Sequence, residues 1–122
     1  MHTVHLVKRF DFEAAHRLPK APEGHKCRNL HGHSFKFEVE VRGPVSDDTA
    51  WYMDFKDIKE VAKPLADELD HTYLNDIEGL EDGTSEVMAR WIWNRLIHQL
   101  PGLYRITVHE TDNSFCHYFG EE

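Results

Sequence analysis

Two cysteines in 122 residues are too few for the disulfide framework of a small secreted protein, which favours a reducing compartment. No apolar run is long enough for a membrane span, and charged Lys8 and Arg9 interrupt the N-terminal stretch before a signal-peptide core could form. A basic excess is missing as well. Lys and Arg number 14 against 22 Asp and Glu, and the formal net charge of -8 argues against sequence-independent binding to nucleic-acid phosphates. Internal repeats, low-complexity segments and linkers are also lacking. These absences lead to the expectation of a soluble, cytoplasmic protein in which residues 1–122 form a single domain with a modest core, the hydrophobic content being 40%.

Histidine is what the chain has in quantity, 10 in all, and their placement is the main signal. Val4, Leu6, Phe10, Phe12 and Ala14 occupy even positions, the alternation of a half-buried strand, and His16 continues that parity. Leu18 to Asn29, with Pro19, Pro22 and Gly24, reads as a loop. Beyond it Phe35, Phe37, Val39 and Val41 define a second strand with its apolar face on odd positions, and His31 and His33 share that parity. Gly43 and Pro44 are expected to end it. Side chains two apart on a strand point the same way, so His31 and His33 can converge on one point, with His16 as a third imidazole. Three histidines with an open position are the ligand set of catalytic zinc. A structural zinc site would add a fourth ligand, and Cys27 is the candidate for it.

The remaining pattern is α+β. Asp54 reads as the N-cap of a helix carrying Ile58, Val61, Leu65 and Leu69, with Pro64 expected to kink it. Asp70 to Gly83 reads as loop. A second helix begins near Thr84 and shows Val87, Met88, Trp91, Ile92, Leu96 and Leu100 on its apolar face before Pro101 and Gly102. Tyr104, Ile106 and Val108, a turn at Asp112 to Ser114, and Phe115 to Phe119 make a terminal hairpin. The order ββααββ predicts an antiparallel sheet of four strands with two helices on one face. So thin a domain, with exposed sheet edges, is expected to oligomerise.

Several other groups carry chemistry. Cys27 lies between Lys26 and Arg28, cationic neighbours of the kind that accompany reactive cysteines, whereas Cys116 sits among bulky strand residues and reads as packing. With His25, Lys26 and Arg28 form a local basic cluster that suits an anionic small substrate. Asp70 and His71 adjoin, as a base oriented by a carboxylate would. Glu110 shares the apolar parity of Ile106 and Val108, and such a carboxylate serves either a structural ion pair or a ligand presenting two parallel N–H groups.

These residues resemble a known family. Phe12 to His16, Gly24 to Cys27, His31-Gly32-His33, Asp54-Phe55, Leu69-Asp70-His71, Leu74-Asn75, Thr84-Ser85-Glu86 and Glu110-Thr111 are similar to the 6-pyruvoyltetrahydropterin synthase family, over about Phe10 to Gly120. Within it they most resemble the 6-carboxytetrahydropterin synthase branch of 7-deazaguanine and queuosine biosynthesis. The resemblance implies a tunnelling fold (T-fold), whose subunits join their sheets into a barrel, as a homo-oligomer and more narrowly a hexamer built as a dimer of trimers. It implies Zn2+ held by His16, His31 and His33, with Cys27, Asp70 and His71 catalytic. Glu110 matches the pterin-anchoring glutamate, and Thr84, Ser85 and Glu86 match a segment that helps hold the pterin ring. The implied substrate is 7,8-dihydroneopterin triphosphate, and the carboxy branch releases acetaldehyde and triphosphate from it. The spacing from Cys27 to His31 resembles the carboxy branch, while Glu110-Thr111-Asp112-Asn113 resembles the ending of pyruvoyl-type enzymes. Two alternatives therefore stand: a 6-pyruvoyltetrahydropterin synthase, which loses no carbon, and a non-catalytic zinc-stabilised binding module closed by Cys27.

Overall fold

The computed structural model describes residues 1–121; Glu122, the last residue of the expected domain, lies outside it. Strands β1 (Thr3–His16) and β2 (His31–Pro44) form a long antiparallel ladder, followed by helix α1 (Phe55–Leu69) and the two-residue strand β3 (Thr72–Tyr73). Helix α2 (Ser85–Leu96) and the hairpin of β4 (Leu103–Thr111) and β5 (Ser114–Tyr118) complete the chain. The sheet has five strands in the order β3-β1-β2-β4-β5, and only the β1–β3 pair is parallel.

The apolar alternation of both long strands faces the helices. Phe10 pairs with Phe37 and Phe12 with Phe35 across the ladder, their rings stacked at 5.2 and 5.1 Å between centroids. Ile58, Ala62, Leu65, Ala66 and Leu69 of α1 join them, as do Met88, Trp91, Ile92 and Leu96 of α2. Val61 is only half-buried; the buried stripe passes through Ala62 and Ala66 instead. Asp54 caps α1 by accepting from the Lys56 amide at 3.0 Å, and Thr84 caps α2 by accepting from the Val87 amide at 3.1 Å.

Two sequence expectations are corrected, the strand count and the end of the second helix. The sheet gains a fifth strand, because Asp70 to Gly83 is not all loop: β3 lies along β1, opposite Ala14 and Ala15, and a 3-10 turn follows at Leu74–Asp76. Strand β2 ends at Gly43 and Pro44 as expected, the two residues lying opposite Val4 and Thr3 on the last rungs of the ladder. Helix α1 is continuous from Phe55 to Leu69 with Pro64 inside it. Helix α2 ends at Leu96, and buried Leu100 is reached through turn bonds from Gln99 and Leu100 back to Leu96.

Candidate active site

The β1–β2 register assembles the three histidines. His16 stands directly opposite His31, and His33 opposite Ala14, so all three imidazoles emerge on the helix-side face where the ladder ends. Their ring centroids are 4.6 to 5.1 Å apart. One ligand atom from each lies within 4.8 Å of the others. Phe35 forms the floor, its ring 5.2 Å from His16 and 5.4 Å from His33. Below the cluster the medium is therefore aromatic hydrocarbon.

Two backbone carbonyls orient this group. His16 Nδ1 meets the Gly83 carbonyl at 2.6 Å, and His31 Nδ1 meets the Asn29 carbonyl at 2.8 Å. A carbonyl only accepts, so each Nδ1 carries the proton and Nε2 presents its lone pair. His16 Nε2 and His33 Nε2 are buried with no hydrogen-bond partner among the described residues. Burial lowers the pKa of the His16 imidazole, the Gly83 carbonyl opposes this, and His31 and His33 lower it further, so the neutral, ligating form is favoured. Buried imidazole nitrogens left without protein partners and aimed at one another fit a divalent metal such as zinc.

A cavity of about 480 Å³ opens beside the cluster, lined by Lys26, Cys27, His31, His33, Glu110 and Thr111. Cys27 rides on a 3-10 turn, Lys26–Arg28, where His25 Nδ1 accepts from the Cys27 amide at 3.1 Å. The Cys27 carbonyl accepts from the Leu18 amide at 2.7 Å and ties that turn to the end of β1. Cys27 is not among the metal-ligand donors that converge, so among the described residues the group is three histidines with an open side. That geometry does not offer the closed four-ligand site of a structural zinc.

Glu110 leaves β4 on the core-facing parity and its Oε1 lies 3.5 Å from His33 Nε2. That is too long for a good hydrogen bond, and the Ser85 hydroxyl reaches the other oxygen at the same 3.5 Å limit. The carboxylate is thus held loosely by its own chain. Of the neighbouring segment, Ser85 is buried against Glu110, Thr84 is spent on capping α2, and Glu86 is exposed and sits toward Cys116. Burial pushes the Cys116 thiol up, and Glu86 adds to that shift, in keeping with a packing cysteine.

Asp70 and His71 are elsewhere. They flank the far side of β1, where His71, Glu13, Ser34 and Thr72 line an open groove of about 540 Å³ that shares only His33 with the cavity of Cys27. Asp70 Oδ1 accepts from the Glu13 amide at 2.8 Å, and Oδ2 lies 2.9 Å from His71 Nδ1. The Glu13 amide, then His71, holds the Asp70 carboxyl below the usual carboxylate range. His71 itself has φ +57°, an uncommon conformation for a side-chain-bearing residue, and donates its amide to the Glu13 carbonyl at 2.6 Å. The dyad is built, and its imidazole is exposed to solvent. Within one chain it does not face Cys27.

The carbonyls of Gly83 and Asn29 escaped the sequence reading, since a backbone acceptor is set by tertiary contact and has no side-chain signature. Comparison with known proteins places this arrangement. The family described as 6-pyruvoyl tetrahydropterin synthase matches residues 5–121. The chain belongs to that family. A 6-carboxy-5,6,7,8-tetrahydropterin synthase of Synechocystis sp. is 46% identical over 120 residues, covering 93% of this chain and 92% of the relative. A 6-pyruvoyl tetrahydrobiopterin synthase of Dictyostelium discoideum is 36% identical and covers 98% of both chains. The structure of Caenorhabditis elegans 6-pyruvoyl tetrahydropterin synthase superposes with a TM-score of 0.89 at 28% identity, covering 99% of this chain and 98% of that one. The five-stranded sheet with two helices is the T-fold of this family.

Proposed function

We propose that this family member is a zinc-dependent 6-carboxy-5,6,7,8-tetrahydropterin synthase acting in the cytoplasm, in 7-deazaguanine and queuosine biosynthesis. It would convert 7,8-dihydroneopterin triphosphate and water to 6-carboxytetrahydropterin, acetaldehyde and triphosphate. The observation that carries this reading is one cavity where the His31 and His33 imidazoles, the Cys27 side chain and the Glu110 carboxylate meet, with His16 completing the metal set. The Synechocystis relative supports the carboxy product.

Zinc, when bound by His16, His31 and His33, supplies a Lewis acid for the hydroxyls of the substrate side chain. Glu110 accepts two parallel N–H bonds from the pterin edge, a pairing its loose tether to Ser85 leaves it free to make. Ser85 steadies that carboxylate, and Thr84, Ser85 and Glu86 at the start of α2 form the segment that would help hold the pterin ring. Cys27 removes a proton from a side-chain carbon on one face, and His71, oriented by Asp70, exchanges a proton on the opposite face. Proton loss beside the phosphorylated carbon lets its C–O bond break, the electron pair leaving with triphosphate. Lys26 and Arg28 supply positive charge near that group.

Because His71 and Cys27 do not share a cavity within one chain, the reading needs a second copy to bring Asp70 and His71 to the open side of this site. A homo-oligomer, a hexamer arranged as a dimer of trimers, meets that need. Among the described residues the outer edge of β1 from Thr3 to Phe12 has no strand partner and is available for joining sheets, since β3 covers only Ala14 and Ala15 and Glu13 is bonded to Asp70 and His71.

The Dictyostelium relative keeps a second reading open, in which triphosphate is eliminated and the side chain rearranges to a 6-pyruvoyl product without carbon loss. Incubation of the zinc-loaded protein with 7,8-dihydroneopterin triphosphate, with products identified by mass, decides between them. Acetaldehyde with a 6-carboxy pterin is expected. A 6-pyruvoyl product selects the second reading, and no turnover with zinc bound overturns both in favour of a binding module.

A further inference from the structure

Asn75, which has no part in the chemistry above, joins three chain segments behind the metal ligand His16. Its Oδ1 accepts from the amide of Arg17, the residue that follows His16, at 2.9 Å. Its Nδ2 donates to the Arg17 carbonyl at 2.8 Å and to the Glu81 carbonyl at 2.9 Å. Oxygen faces the one amide and nitrogen faces the two carbonyls, so only one orientation of the carboxamide satisfies all three contacts. The first pair of bonds imitates a strand partner for β1 just past its end. The third holds the loop Glu81–Gly83, whose last carbonyl accepts from His16 Nδ1 at 2.6 Å.

Packing at this junction leaves little slack. Gly83 has φ +72°, and a Cβ there would lie 2.3 Å from the Arg17 carbonyl oxygen and 3.0 Å from Asn75 Nδ2. The loop therefore presses directly on the Arg17 backbone, and its amide is tied at Gly83 to the Leu80 carbonyl at 2.9 Å. His16 is fully buried, so its ring direction depends on the backbone that carries it and on the Gly83 carbonyl. Asn75 fixes both at once.

We propose that Asn75 is a positioning residue of the metal centre: it sets the direction of His16 Nε2 by holding Arg17 and the Glu81–Gly83 loop against each other. The proposal rests on the reading that His16, His31 and His33 bind zinc. An isosteric Asn75→Asp change has no donors and turns a carboxylate oxygen toward two carbonyls, so the Gly83 carbonyl shifts relative to His16. Loss of such outer support weakens metal binding by about 10- to 100-fold.

The test is zinc affinity by competition with a chromogenic chelator, on wild-type protein, Asn75→Asp and Asn75→Ala, together with the d–d absorption of the cobalt-substituted proteins. Asn75→Ala removes the same three bonds without adding charge and carries the test where the aspartate variant does not fold. Ile58→Val, a core change in α1, controls for lost stability alone. At least tenfold weaker zinc binding and an altered cobalt spectrum in the Asn75 variants, with neither in Ile58→Val, are the expected results. Wild-type affinity in a folded Asn75 variant, or equal weakening in Ile58→Val, overturns the role of Asn75 and leaves the zinc reading standing. Wild-type protein that binds no zinc overturns the metal reading itself.

Discussion

Glu38 shows, at the scale of one residue, how the sheet face away from the helices keeps its charges. Its Oε2 takes Arg9 at 2.8 Å and His109 Nε2 at 3.1 Å, and Arg105 approaches the other oxygen at 3.6 Å. Burial would raise the carboxyl, yet the bonds from Arg9 and His109 outweigh it and hold Glu38 below its ordinary value. A carboxyl depressed in the folded state stabilises that state above the unfolded pKa, near 4.3, and the contribution disappears as pH falls through the lower folded value. Glu38→Gln is therefore expected to cost about 2 kcal/mol at pH 7, as a charge-assisted partner is lost, and progressively less as the pH is lowered through the folded-state pKa of Glu38. Urea unfolding of the metal-free protein over a series of pH values from neutral into the acid range checks this, and a loss that does not shrink toward acid pH would refute it. The sequence marks Glu38 only as a polar residue alternating with core positions; its partners from β1 and β4 appear once the strand order is known. The histidine cluster was more legible, because period-two parity alone puts His16, His31 and His33 on one face. Cys27 and Cys116 were separable for a similar reason, one beside charge and the other among bulky residues. Asn75 was visible as part of a family pattern, but its role depends on three backbone groups that no side-chain pattern announces.

Whole elements were readable where they begin with a cap or repeat an apolar period. Thr84 illustrates the first case: its hydroxyl accepts from the Val87 amide and satisfies a donor that the first turn of α2 leaves free. Thr84→Ala should cost about 1 kcal/mol and lower the melting temperature of the metal-free protein by roughly 3–5 °C. Thr84→Ser, which keeps the acceptor, should recover most of it; a calorimetric scan showing the two variants equally unstable would remove the cap from the account. The elements that were misjudged share a different cause. Strand β3 is two residues long, too short for any alternation, and exists because Asp70 and His71 pin the chain to Glu13 on β1. Leu100 carries the apolar period of α2 past the end of that helix, since a buried leucine on a turn looks the same in sequence as one on a helix. Pro64 lies inside α1, which runs unbroken from Phe55 to Leu69 and packs Ile58, Ala62, Leu65, Ala66 and Leu69 into the core.

At the scale of the whole molecule, the site is split by the sheet. His31, His33 and Cys27 line the cavity at one side of the β1–β2 end, and His71, held by Asp70, lines a groove across β1 with its imidazole exposed. The His71 imidazole, held by Asp70 on uncommon backbone geometry, stands in open solvent and does not share the cavity of Cys27 within its own chain. In the proposed assembly it would complete the open cavity of another copy. This arrangement makes a prediction about mixed assemblies. Cys27→Ala and His71→Ala should each be inactive alone, by 100-fold or more. Co-expressed in equal amounts, the two chains form mixed oligomers. A site then works when its cavity comes from the His71→Ala chain and its dyad from the Cys27→Ala chain, and random mixing makes about a quarter of sites of that kind. Specific activity of the co-purified pool should approach that fraction of wild type, and the zinc content of each parent should be unchanged, since neither residue ligates the metal. A mixed pool no more active than its parents would mean that Cys27 and His71 serve one site within one chain, and that β3 and the dyad must move across β1 to reach it.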